Sequence, residues 1–306
     1  MKSKALNFFP QLLFEGKERV LFNPILRKRF KNRPEERVRL RWIDYLIHQT
    51  DIKKSRIGFE APVEIRNKEN SLRADIIIYD KKLHPQILVE CKSSSVALSE
   101  ETGKQAARYN TSIGASSICL TNGVVDLWFK IENDSIIESA QPIKEVRPFS
   151  DLRLDSKWWA DRGFYSADSS NEFTNRMETT CRYFYGEFID WPLRFLDFNT
   201  PFLPFNLNHY YKVASLDESS KLAVSFIRTH TDKSFLAAIL NVDGMNTGFL
   251  IIDLEMLFER AAGSATIYKT REQICIDAHK HIPLFEQKFN SSVIENLPNF
   301  LIRLFD

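Results

Sequence analysis

Between Arg73 and Tyr109 three charged residues fall where an apolar sheet ought to continue. Asp75 precedes Ile76-Ile77-Ile78, while Glu90 and Lys92 follow Ile87-Leu88-Val89. Side chains alternate along a strand, so Glu90 and Lys92 share one side and Cys91 faces the other. Two acids and a lysine at the end of an apolar sheet are costly unless they compensate one another or hold something between them. A hard divalent cation is the natural candidate. Mg²⁺ takes one or two carboxylates and keeps its other positions for water and phosphate oxygens. Lys92 would then orient or deprotonate a water. Gln105 and Tyr109 follow four residues apart, which sets them on one face of a helix.

The elements that must position these residues can be read from the pattern around them. Ile76 to Tyr79 and Gln86 to Val89, joined by a polar turn that ends in Pro85, predict a β-hairpin. Residues 57–65 (IGFEAPVEI) predict a strand leading into it, with Glu60 and Glu64 facing solvent. Ser99 can cap a helix that carries Glu100 and Glu101 in its first turn, and Gly103 leaves its start uncertain. Asn122-Gly123 predicts a second hairpin within residues 116–131. Upstream, Asn32 can cap a helix with Pro34, Glu35 and Glu36 in its first turn. Val38, Trp42, Tyr45 and Leu46 form its apolar stripe, widened by Leu40, Ile43 and Ile47. Helices alternating with strands about a central hairpin predict an α/β (α+β) domain, a mixed β-sheet flanked by helices.

The order D…E-x-K…Q-x-x-x-Y resembles the PD-(D/E)xK nucleases, particularly their RecB-like branch. RPEERVR, RADIIIYD, ILVECKSSS, QAARYN and LTNG, in this order, resemble the N-terminal nuclease domain of type I restriction enzyme R subunits. The resemblance covers about residues 30 to 130. Ala74 stands where the family has the proline of its PD pair, a change that removes no ligand. The resemblance implies a restriction-endonuclease-like fold. It also implies a site in which Asp75, Glu90 and the Cys91 main-chain carbonyl hold Mg²⁺ or Mn²⁺ and Lys92 serves the reacting phosphate. A glutamate of the first helix reaches toward the metal in that family. Glu36 is the choice here and Glu35 the alternative, either being equally suited to the helix dipole. Gln105 would orient Lys92 or the phosphate, and Tyr109 would pack beside the substrate backbone. Arg73 would neutralise a phosphate or pin the hairpin, and Arg37 and Arg41 would contact DNA.

Charge is distributed unevenly. The net charge is only +2, but residues 1–50 carry 12 Lys and Arg against 5 Asp and Glu. Residues 51–150 carry 14 of each, and residues 151–306 carry 16 against 21. The basic excess sits in LRKRFKNRPEERVRLR, just upstream of the proposed site, where it can track a phosphate backbone. It reads equally well as a solvated helix face following a basic link. No apolar run approaches the ~20 residues of a membrane span. Pro10, Gln11 and Glu15 interrupt any signal-peptide core. Cys91, Cys119, Cys181 and Cys275 are far apart and form no C-x-x-C, which points to buried thiols, no zinc and a cytoplasmic protein.

Two prolines and weak periodicity in residues 141–150 mark a boundary, which divides the chain into 1–148 and 149–306. The second part predicts a further α+β domain. It opens with an aromatic-rich helical stretch, Asn171 to Leu196, whose phenylalanines suit a core better than nucleotide stacking. Antiparallel strands follow near Tyr210–Ser215, Leu222–Arg228, Ser234–Leu240 and Gly248–Leu254, with a turn at Asp243-Gly244. A final helical region is expected from about Arg271 to Phe305. His279 and His281 are two apart, a poor spacing for ligands on a helix, and His209 and His230 stand alone.

No G-x-x-x-x-G-K-[ST] occurs, and 306 residues leave no room for the ATP-driven motor of a type I R subunit. The expectation is therefore a stand-alone, Mg-dependent deoxyribonuclease, of endonuclease type, that acts on DNA and works with restriction-system or motor subunits. Two other classes stay open. One is a nucleic-acid-binding module with the nuclease fold and little turnover. The other is an adaptor in which these charges form a structural ion-pair network.

Overall fold

The structure is a computed structural model that describes the chain except residues 64–71, 133–134, 147, 153, 199–202, 204, 270–271, 287 and 306. The side chains of 62, 63, 72, 100, 109 and 150 also lie outside the description. The chain forms two compact units, one of residues 1–13 and 19–152, the other of residues 14–18 and 153–306. Both are α+β.

A three-stranded antiparallel sheet occupies the N-terminus: β1 (Gln11–Glu15), β2 (Glu18–Asn23) and β3 (Lys28–Lys31). The basic link expected before the first helix is therefore partly strand. Asn23 makes the turn into β3, accepting from the N–H of Ile25 and Leu26 at 2.8 and 3.0 Å. Helix α1 (Pro34–Gln49) starts at Arg33, which makes no side-chain cap. Asn32, expected to cap it, instead accepts from Arg37 Nη1 at 2.8 Å. The helix is buried on more than its apolar stripe, since Arg41 and Asp44 are as enclosed as Val38 and Trp42.

The main sheet of the first unit follows. It has the order β4 (Ile57–Val63), β5 (Leu72–Tyr79), β6 (Pro85–Cys91), β7 (Ser117–Thr121), β8 (Asp126–Glu132) and β9 (Ser135–Glu138). All pairs are antiparallel except β6 with β7. A parallel pair needs a crossover, and helix α2 (Glu100–Ile113) supplies it. Ser99 and Thr102 form a capping box at its start, and Gly114, at φ 74°, ends it. The sheet's apolar core includes Ile77, Leu88 and Ile118 packed with Ala106 of α2. On α1, Trp42 Nε1 donates to Thr121 Oγ1 at 3.1 Å. Asn122-Gly123 forms the predicted hairpin, and Asn122 Oδ1 accepts from Val124 and Val125. Gly123 has φ 76°, and a Cβ there would sit 3.2 Å from Arg41 Nη1. That turn requires glycine.

The second unit begins with α3 (Ser156–Ala160) and α4 (Asn171–Tyr185). Its sheet is an antiparallel meander of β10 (Leu193–Leu196), β11 (His209–Ser215), β12 (Ser220–Arg228), β13 (Ser234–Val242), β14 (Met245–Asp253), β15 (Ala265–Lys269) and β16 (Glu272–Ile276). The short helix α5 (Leu254–Phe258) lies between β14 and β15. The expected helix to Leu196 stops at Tyr185, because Gly186 and Pro192 break it and residues 193–196 pair with β11. The expected final helix from Arg271 is also corrected. Residues 272–276 form a strand against β15, and the α-helices among the described residues beyond it are the short α6 (Ser291–Glu295) and α7 (Leu297–Ile302). Phe173, Phe184 and Tyr185 are core, as expected, whereas Phe188 is 66% exposed and stacks on Tyr183. His209 is a satisfied core histidine between Ser225 and the Arg162 carbonyl. Among the described residues no helix is long and apolar enough to cross a membrane.

Candidate functional site

The strand register builds the site. Phe59 pairs with Ile76 and Ala61 with Ala74, which sets Glu60 opposite Asp75. Ile76 pairs with Val89, and one further step along the same register sets Asp75 opposite Glu90. Three carboxylates thus lie in one row across β4, β5 and β6. Such a row repels itself unless cations enter it. Two do: Lys92, just beyond the end of β6, and Arg39, from α1.

Arg39 reaches three acids on three elements. Its Nη1 lies 3.0 Å from Glu36 Oε2 and 3.0 Å from Glu60 Oε1, and its Nε lies 3.0 Å from Asp75 Oδ1. Glu36 and Arg39 are three apart on α1 and so share its sheet-facing side. Asp75 Oδ2 accepts the Cys91 main-chain N–H at 2.7 Å, which ties the carboxylate to the neighbouring strand. Lys92 Nζ donates to Glu90 Oε1 at 2.9 Å. Glu60 has φ 46°, a left-handed conformation uncommon for a residue with a Cβ inside a strand.

The electrostatics follow from burial. The Asp75 carboxyl is pushed up to about 7, first by burial and then by the charge of Glu90, against the pull of Arg39, the Cys91 N–H and Lys92. Burial also raises the Glu36 carboxyl, with Arg39 opposing and Glu60 adding to the shift. For Lys92, burial favours the neutral amine, but the bond to Glu90 and the charges of Glu90, Asp75 and Glu35 outweigh it, so its ammonium is held above the ordinary range. A neutral Lys92 acting as base is not what this arrangement favours.

Several sequence expectations change here. Glu60, expected to face solvent, is only 28% exposed and belongs to the site; Glu64 lies outside the described residues. Arg41, expected to contact DNA, is buried. It donates to the carbonyls of Ala5, Phe8 and Leu6 and so holds the N-terminal segment. Arg37 is engaged with Asn32. Arg73 is exposed, with its Nη1 3.8 Å from Glu60 Oε2. Gln105 occupies an exposed position of α2, and the Tyr109 side chain lies outside the description. Arg39 was missed by sequence reasoning. Its signal, an i+3 spacing from Glu36, was lost among the arginines at 33, 37 and 41. Also missed was the cavity of about 550 Å³ beside Glu36, Arg39 and Glu60, walled by Arg29, Lys31 and Arg33.

Among the described residues no group of three or more His, Cys, Asp or Glu side chains is arranged to hold a metal. The donors expected from the sequence are two carboxylates and a main-chain carbonyl, a smaller set that suits an ion retaining several waters. Two observations fit a cation beside them. Burial and the neighbouring charge of Glu90 together disfavour the charged form of Asp75. Glu36 Oε1 is buried with no hydrogen-bond partner.

These residues lie within a recognisable segment. Residues 34–146 match the family model for the type I restriction enzyme R protein N terminus. The matched segment includes Glu36, Arg39, Glu60, Asp75, Glu90, Lys92 and Gln105, and the family whose model it matches is a nuclease-domain family. The sheet β1 to β3, with Arg29 and Lys31, precedes the matched domain. No curated protein and no solved structure matches the chain.

Proposed function

We propose that the first unit is a metal-dependent nuclease that hydrolyses DNA phosphodiester bonds, similar to the nuclease module of type I restriction enzymes. The observation that carries this reading is the opposed pair Asp75 and Glu90, with Lys92 bonded to Glu90, inside a segment of that family. Asp75, Glu90 and the Cys91 carbonyl would hold Mg²⁺ or Mn²⁺. Such an ion, when bound, polarises the phosphodiester and acidifies water. The chain's own groups supply the rest. The Cys91 N–H fixes Asp75, and Glu90 aims Lys92. Lys92, held as an ammonium, stabilises charge that develops on the phosphate. Glu36, whose Oε1 is buried with no hydrogen-bond partner, would serve a second ion or its water shell. Gln105 and Tyr109 on α2 and the basic wall of Arg29, Lys31 and Arg33 serve the nucleic-acid backbone. Partner subunits of a restriction system fit the family.

One observation favours a second reading, a nucleic-acid-binding module without turnover: Arg39 already neutralises part of the acidic row. The two differ in a cleavage assay on plasmid, linear and single-stranded DNA with Mg²⁺ or Mn²⁺. Cutting that is lost with chelator and in Lys92→Ala supports the nuclease. DNA binding without cutting in the wild type supports the module.

A further inference from the structure

We propose that Arg39 is a built-in counterion that competes with the divalent ion at Asp75 and turns to a substrate phosphate when the ion binds, so that metal loading and phosphodiester binding strengthen each other. The inference rests on the reading of Asp75 and Glu90 as a cation site.

Four observations carry it. The guanidinium is shared among Glu36, Glu60 and Asp75, each at 3.0 Å, which no other described cation of the site does. The four acids Glu36, Glu60, Asp75 and Glu90 outnumber the cations beside them, which are Arg39, Lys92 and, 3.8 Å from Glu60, the exposed Arg73, and a bound cation would offset the excess. The hold on Asp75 is by charge alone, because Arg39 Nε lies near Oδ1 yet makes no hydrogen bond there. Arg39 also lines the open cavity of about 550 Å³ along with Glu36, Glu60, Ser93 and the basic side chains of β3, so a phosphate entering it meets the guanidinium.

The consequence is electrostatic. A divalent ion at Asp75 repels Arg39 and takes the carboxylate's charge from it. The planar guanidinium fork then needs another oxyanion, and a phosphate suits it. Coupling between two ligands is reciprocal, so DNA must tighten ion binding by the factor by which the ion tightens DNA binding. The strained backbone at Glu60 fits this account, since it holds a carboxylate against Arg39 in the wall of the cavity.

The test titrates Ca²⁺, a hard cation that takes the same oxygen donors, into the full chain by calorimetry, with and without a short DNA duplex. Wild type, R39Q and R39K are compared. The expected result is that R39Q binds Ca²⁺ about 5-fold or more tighter than wild type without DNA, and that DNA improves ion binding by a smaller factor than in wild type. R39Q without ion unfolds at a lower temperature and recovers more on adding Ca²⁺ than wild type does. R39K, which keeps the charge but cannot bridge three acids, falls between them and covers the case in which R39Q does not fold. Ion affinity unchanged or weakened in both variants, or coupling as large in them as in wild type, overturns the inference and makes Arg39 a structural tie, while the nuclease reading stands. No ion binding by any form overturns both.

Discussion

The main-chain N–H of Cys91 lies 2.7 Å from Asp75 Oδ2, so the acid of one strand is held by the backbone of the strand that carries Glu90 and Lys92. The bond fixes a side chain whose charge is disfavoured by burial and by Glu90. Asp75→Asn keeps an acceptor for that N–H and removes the repulsion with Glu90. The variant should lose cleavage by about 100-fold or more, the scale of losing one preorganised electrostatic group. In the absence of metal it should unfold no more easily than wild type at pH 8. Parallel cleavage and urea-unfolding measurements check both.

The raised Asp75 carboxyl sets a pH dependence. Its ordinary value is 3.8 and in the fold it is about 7. Between these limits the folded chain binds more protons than the unfolded one, so stability falls as pH rises. This contribution is fully present below about pH 4 and is lost as pH passes through about 7. Metal-free wild type should therefore show, on going from pH 5.5 to 8, a loss of unfolding free energy that Asp75→Asn does not share. Denaturant titrations at the two pH values measure it.

On the proposed reading Lys92 serves the phosphate as a cation. Lys92→Ala should lower cleavage by about 10²–10⁴-fold. Lys92→Arg, which keeps the charge, should retain part of the activity. An equal loss in both variants would show that the amine's size or its deprotonation matters more than its charge. Single-turnover cleavage rates decide between these outcomes.

Arg29, Lys31 and Arg33 are exposed and wall the cavity beside Glu36 and Glu60. If they meet phosphates, replacing all three with alanine should weaken DNA binding uniformly across sequences. The slope of log affinity against log salt should become shallower by about 2–3. Fluorescence anisotropy over a salt series measures that slope.

Arg41 has the opposite character. It is buried and donates to carbonyls of residues 5, 6 and 8. Arg41→Ala should cost about 3 kcal/mol or more, because it leaves buried acceptors unsatisfied. Ion affinity should stay unchanged when measured on the folded fraction. Urea unfolding and metal titration separate the two effects.

Much of the first unit was legible in its residues. Runs of isoleucine and valine, the Asn122-Gly123 turn and the Ser99 cap are local signals, and the local chain obeys them. Alternation was enough to put Glu90 and Lys92 on one side, where they now bond. Antiparallel pairing of the predicted hairpin was enough to bring Asp75 to Glu90. The second unit was less legible toward its end. Residues 272–276 become strand only because β15 lies beside them, and pairing with a distant segment leaves little trace in composition.

By itself the sequence determined the elements and the acid–acid–lysine core of the site, because each rests on spacing of a few residues or on one hairpin. Only the tertiary structure decided which arginine enters the acidic row. Residues 33, 37, 39 and 41 are alike in type, but helix rotation sends Arg41 to the N-terminal carbonyls and Arg39 to Asp75. Likewise, Glu60 joins the site because β4 pairs with β5 in a register that sets it opposite Asp75. Charge on a side chain is a local property. The partner that charge meets depends on how helix and sheet pack, and that is settled by the apolar contacts around it.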